Sequence, residues 1–218
     1  MFKLWVIALG GVLAAVVAVA LYLNMSSEEP ALKHAMASDP DSLQVEIAPG
    51  EHIIGDAAAP VTIVEYASLT CPHCANFHLN VLPTVKKELL DTGKAKLVYR
   101  DFPLDQLALR AATLVRCAQP MQRDALLSLL FQTQATWARS SDPVAALDQI
   151  GRSVGMSSAA TQACFEDQAI LDAVIAQRLE AEQRYKVNAT PSFIIGGKLY
   201  GGVLSAEQIA ELVASLTP

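Results

Sequence analysis

Hydrophobic and polar positions divide this chain into regions of different character. Leu4 to Leu23 is uncharged and almost wholly apolar, long enough at 1.5 Å per residue to cross a hydrocarbon layer of about 30 Å. Residues 24–51 carry Ser, Glu, Asp and Pro with little periodicity. They predict a flexible linker, with one short strand near Val45–Ile47. From His52 the pattern is that of a packed domain. Val61-Thr62-Ile63-Val64-Glu65-Tyr66 is a β-branched strand run. Cys74, His78, Val81, Leu82, Val85 and Leu89 then recur on one face, which predicts a helix over 72–91. Pro72 takes its first position, Pro83 should kink it and Gly93 should end it. Lys96–Phe102 reads as a second strand, parallel to the first because a helix intervenes.

Residues 104–185 follow helical periodicity throughout. The predicted pieces are Leu107–Ala118, Arg123–Gln134, Val144–Val154 and Ser158–Tyr185, with Pro143 and Ser157-Ser158 as start signals. β character returns in Ser192–Ile195, a Gly196-Gly197 turn and Lys198–Tyr200, the pattern of a tight hairpin. Ser205 caps a last helix, Ala206–Leu216. The order βαβ, helical block, ββα predicts an α/β class with a thioredoxin-like layout. Its domain spans 52–218 and carries a helical insertion over about 104–185.

The chain has 218 residues and a net charge of −6 with no basic tract, which argues against a nucleic-acid partner. The Met1 amine and Lys3 precede the apolar segment, and Glu28 and Glu29 follow it. The positive-inside tendency therefore leaves the amino terminus in the cytoplasm and sends the rest across. Two readings of residues 1–23 stay open: a retained membrane anchor, or a signal peptide cut at Ala18-Val19-Ala20. Both place the domain outside the inner membrane, where disulfides persist.

The reactive candidate is Cys71-Pro72-His73-Cys74, at the junction of the first strand and its helix. Cys71 falls at the helix N-cap, where a thiolate faces unpaired N–H groups and the positive end of the dipole. His73 can add positive charge. Half of a zinc site is the competing reading, with His78 as a third ligand. However, Cys117 and Cys164 do not form the second short-spaced pair that structural zinc usually has. A purely structural bridge fits poorly too, since so short a ring suits exchange. The expected site holds no metal and no cofactor.

V-T-I-V-E-Y-A-S-L-T-C-P-H-C, V-Y-R-D-F-P-L at Val98–Leu104 and V-N-A-T-P-S-F-I-I-G-G at Val187–Gly197 occur in this order. Together they resemble the DsbA-like branch of the thioredoxin superfamily, bacterial periplasmic thiol–disulfide oxidoreductases. The resemblance implies a cis Thr190-Pro191 bond, where base rates alone favour trans. Thr190 and Pro191 would then receive a substrate peptide as an added strand. It also places Glu65 beneath the sulfurs as a proton acceptor for Cys74. Lys96 on the next strand is read as its counter-charge, and His78 as an ordinary packing or surface residue. Some family members carry a second cysteine pair, and the oxidising compartment favours a structural disulfide between Cys117 and Cys164.

The activity so implied is insertion of disulfides into reduced exported proteins at Cys71 and Cys74. The protein would act as a periplasmic monomer, tethered by residues 4–23 and reoxidised by a DsbB-like membrane enzyme. Two rivals remain: a reductase or isomerase of the same fold, suggested by Thr190, and a metal or copper carrier.

Overall fold

The computed structural model describes residues 42–217; the segment at 4–23 and the linker as far as residue 41 lie outside the described residues. No described helix is long and apolar enough to cross a membrane. Five strands form one sheet in the order β1-β3-β2-β4-β5. They are β1 (His52–Ile54), β2 (Val61–Ala67), β3 (Ala95–Asp101), β4 (Ser192–Ile195) and β5 (Lys198–Gly201). β2 and β3 run parallel, with Glu65 opposite Tyr99. β4 lies antiparallel to β2, with Phe193 opposite Glu65. The β4–β5 turn needs positive φ at both Gly196 and Gly197, 56° and 75°, which glycine adopts without strain. β1 went unpredicted because three residues are too few to show alternation.

The sheet separates two cores. Ile63, Ala67, Leu97, Tyr99 and Phe193 pack with Cys74, Phe77, Phe131 and Trp137 on one side. Val64, Tyr66, Val98 and Ile194 pack with Ala181, Tyr185 and Val187 on the other. Alternation along β2 puts Glu65 on the first face, between its register neighbours Tyr99 and Phe193.

The end of the predicted flexible linker needs correction. Leu43, Val45 and Ile47 pack against the second core, and the Leu43 N–H donates to the Gly197 carbonyl at 2.7 Å. No strand forms at Val45–Ile47. The anchor is Arg100, which is buried. It donates to both Glu51 carboxylate oxygens at 2.7 and 2.8 Å, to the Glu46 carbonyl at 2.6 Å and to Tyr66 Oη at 2.9 Å. A buried guanidinium needs such partners, and the segment ahead of β1 supplies them. The compact unit therefore starts at Leu43, not His52.

Between β2 and β3 runs α1, from Pro72 to Leu90. It changes width along its length: α-helical Pro72–Asn76, a π turn at Phe77–Val81, α-helical Leu82–Val85 and a second π turn at Lys86–Leu90. Pro83 has no N–H to close the ladder, and the disturbance predicted there takes the form of a wide turn just before it. The insertion holds α2 (Gln106–Cys117), α3 (Pro120–Gln132), α4 (Gln134–Trp137), α5 (Pro143–Ser153), α6 (Ser158–Glu166) and α7 (Gln168–Arg184). The single helix predicted over 158–185 is two, because Asp167 ends one and caps the next, its carboxylate accepting the Ile170 N–H at 3.1 Å. Cys117 and Cys164 join α2 to α6, with sulfurs 2.10 Å apart and Cα atoms 6.0 Å apart. The final helix, α8 (Ala206–Leu216), starts with a capping box between Ser205 and Gln208.

Candidate active site

The site is built where β2 turns into α1. After Ala67 the chain makes a short loop, and the Cys71 N–H donates to the Ser68 carbonyl at 3.1 Å. Cys71 is extended, at φ −81° and ψ 120°, so it caps the helix while Pro72 begins it. The insertion holds this loop in place. Gln134 Nε2 donates to the carbonyls of Leu69, at 2.8 Å, and Cys71, at 3.0 Å. Asp105 caps α2 through the Ala108 N–H and also accepts Thr70 Oγ1, both at 2.7 Å. Nothing in the sequence pattern singled out Gln134. Its partners are backbone carbonyls more than sixty residues away.

The loop before β4 forms the facing wall. The Thr190-Pro191 bond is cis, and the Thr190 carbonyl accepts from Cys71 Sγ at 3.3 Å. Thr190 Oγ1 is buried with no hydrogen-bond partner, and Pro191 is buried beside it. Both cysteines are free thiols.

Their environments drive the two thiols apart. The Cys71 thiol is pulled down to about 5. A hydrogen bond from Cys74 lowers it most; burial opposes this, and Thr190 and the backbone N–H groups of Cys74 and His73 add to the lowering. The Cys74 thiol is pushed far up, first by burial and then by its bond to Cys71 and by the Glu65 charge. One sulfur is set as thiolate and the other as thiol. The His73 side chain is exposed, and the part of His73 that acts on Cys71 is its backbone N–H.

Glu65 is fully buried, and its partner is His78. Nε2 of His78 lies 3.1 Å from Oε1 and 3.0 Å from Oε2 of the carboxylate. The imidazole stacks on Phe131 at 4.1 Å and meets Tyr99 and Phe77 edge-on at 5.8 and 5.6 Å. Reading His78 as ordinary packing is therefore corrected: a buried carboxylate needs a partner, and His78 lies one turn after Cys74 on the same face. Its place as a polar residue in that otherwise apolar stripe was the signal for it. Lys96 does not serve Glu65; its Nζ donates to the carbonyls of Ala57 and Ala59 at 2.9 and 3.0 Å. For a metal carrier, His78 would have to leave Glu65 to act as a third ligand. Among the described residues no three His, Cys, Asp or Glu side chains gather around a vacancy for an ion.

A family model described as Thioredoxin matches residues 48–215. A relative from Rickettsia typhi, provisionally named a protein-disulfide oxidoreductase, is 33% identical over 146 residues, 66% of this chain and 54% of its own length. The chain thus spans about half the length of such curated relatives. Among solved structures, α-DsbA1 of Wolbachia pipientis is 29% identical with a TM-score of 0.72, over 79% of this chain and 93% of that one. A protein-disulfide isomerase from Novosphingobium aromaticivorans is 26% identical with a TM-score of 0.68, over 79% of this chain and all of that one.

Proposed function

The chain belongs to the thioredoxin family, on its DsbA-like branch, and from that premise we propose that it is a thiol–disulfide oxidoreductase that inserts disulfides into reduced proteins. The observation that carries the reading is the split between the two sulfurs. Cys71, at a helix end and held by the Cys74 thiol and the backbone N–H groups of His73 and Cys74, is a thiolate at neutral pH, while Cys74 behind it is held as a thiol. Stabilising the Cys71 thiolate stabilises the reduced enzyme, so its disulfide is readily reduced by a substrate.

A substrate thiolate attacks Cys71 Sγ in the oxidised protein, and Cys74 leaves and takes up a proton. A second substrate thiolate then attacks the substrate sulfur of the mixed disulfide, and Cys71 departs as a thiolate. The substrate gains the disulfide and both enzyme cysteines end reduced. On reoxidation, Cys71 attacks the oxidant and Cys74 gives its proton to Glu65 before closing the enzyme's own disulfide. Thr190 and Pro191 offer backbone groups to an incoming extended segment.

The proposed substrates are reduced exported proteins. The proposed setting is the periplasm, with residues 4–23 as tether and a DsbB-like membrane reoxidase as electron acceptor. The Cys117–Cys164 bridge supports an oxidising compartment. A reductase or isomerase is the second reading, favoured by Thr190 before the cis-proline and by the likeness to the Novosphingobium protein.

Mixing the oxidised protein with a peptide bearing two thiols tests the proposal. The peptide should leave as its intramolecular disulfide with stoichiometric reduction of Cys71 and Cys74, and Cys71→Ala should abolish transfer. A peptide left reduced, or unequal oxidation and reduction, counts against it.

A further inference from the structure

Glu65 cannot pass a proton to water on its own. It is wholly buried on the core face of β2, yet the cycle proposed above requires it to give up each proton it receives from Cys74. The titratable groups facing it are few: Cys74 and His78 from α1, and Tyr99 from the neighbouring strand β3. α3 contributes only the Phe131 ring, stacked on the imidazole. Of these, His78 alone touches the carboxylate, through both oxygens, and its side chain keeps 4% exposure where that of Glu65 has none.

A polar region continues beyond His78. The Tyr99 ring, edge-on to His78, lies 5.9 Å from His52 on its other side. Tyr99 Oη and His52 Nδ1 are both buried without protein partners. Both residues line a pocket of about 800 Å³ together with Asp101, Arg116 and Arg123. Such a pocket is roomy and polar enough to hold water, and His52 Nε2 is paired with the largely exposed Asp124.

We infer that His78 is the proton carrier of this site, taking the Cys74 proton from Glu65 and passing it towards the water-accessible pocket beside Tyr99, and returning one when Cys74 leaves. The inference rests on Glu65 acting as the base for Cys74. In the resolving step the Cys74 S–H bond breaks and its proton goes to the Glu65 carboxylate. The Cys74 thiolate attacks Cys71 Sγ, the bond from Cys71 to the partner sulfur breaks, and the partner leaves as a thiolate. As Glu65 takes this proton it passes it on to Nε2 of His78, so the carboxylate is restored while Cys74 attacks and release depends on the imidazole. The role belongs to the imidazole, since a group that only donates to the carboxylate fills the space without carrying protons.

The test uses the reduced protein and excess oxidised glutathione, with acid-quenched samples resolved by mass. Attack by Cys71 forms the glutathione adduct, and attack by Cys74 releases it. His78→Gln should leave adduct formation within about twofold of wild type and slow release by about tenfold or more, the scale of a lost general acid–base group. In His78→Gly, added imidazole should restore release in proportion to its concentration. In the unmodified protein, release should show a solvent deuterium isotope effect that adduct formation lacks. Glu65→Gln separates the two layers. If Glu65→Gln slows release while His78→Gln does not, or imidazole has no effect, His78 is only a packing partner and the inference falls. If Glu65→Gln itself leaves release unchanged, the base assignment falls with it. An isotope-insensitive release in wild type overturns the inference even if the variants do not fold.

Discussion

Replacing Cys74 with alanine should raise the Cys71 midpoint more than any other single change. The thiol sits at about 5 because the hydrogen bond from Cys74 is the largest lowering influence, ahead of Thr190 and the two backbone N–H groups. With a midpoint of about 5, roughly 99% of Cys71 is thiolate at pH 7 and roughly a tenth at pH 4. An ordinary thiol of pKa about 8.5 would be only about 3% thiolate at pH 7. Alkylation of wild-type Cys71 should therefore fall only about tenfold between pH 7 and pH 4, where an unperturbed thiol would fall by nearly a thousandfold. In Cys74→Ala the inflection should move up, yet stay below the ordinary value because the helix-end N–H groups remain. Following iodoacetamide incorporation at Cys71 by mass over pH 3 to 10 gives both curves. The sign of the linked stability is fixed too. A depressed folded-state pKa stabilises the reduced fold above the unfolded pKa of about 8.5, and that gain is lost as pH falls towards 5. The melting temperature of the reduced protein should thus rise relative to the oxidised one across that window. A wild-type inflection near 8 or 9, or one that Cys74→Ala leaves in place, would refute the reasoning.

Other expectations follow from the same structure. His73→Ala keeps the backbone N–H that acts on Cys71, so the alkylation inflection should rise by only about a few tenths of a unit; a rise above one unit would assign the effect to the imidazole. Gln134→Leu leaves the Leu69 carbonyl without its partner, while the Cys71 carbonyl keeps the Ala75 N–H. It should lower stability by about 1–3 kcal/mol, read by urea unfolding, and slow exchange by loosening the Cys71 loop. The double variant Cys117→Ala/Cys164→Ala opens a crosslink spanning 47 residues. It should lose about 4 kcal/mol in the chain-entropy model and melt earlier by about 2–4 °C per kcal/mol, with exchange at Cys71 intact.

Strong periodicity and local chemistry made the layout legible. The parallel β2–β3 pair, the C-P-H-C helix start and the Gly-Gly hairpin follow from patterns within a few residues. What escaped depends on distant partners. Leu43, Val45 and Ile47 alternate with polar residues as a strand would, yet they are held by packing on the second core and by Arg100 from β3 rather than by a strand partner. Asp167 ends one helix and caps the next within a stretch that reads as helical throughout. Glu65 was recognisable as a buried carboxylate in need of a partner, but Lys96, whose register partner is Thr62 on the other face of β2, was the wrong one. His78 could have been chosen from its spacing to Cys74; its contact with Glu65 depends on how the helix packs on the sheet.

The most direct test of the oxidative role is the equilibrium of the Cys71–Cys74 pair with glutathione at pH 7, read by quantifying thiols after acid quench. A stabilised Cys71 thiolate predicts a reduced-favouring equilibrium, with a potential well above about −200 mV. A value near or below about −270 mV, the range of a cellular reductant, would contradict disulfide insertion and assign the site to reduction.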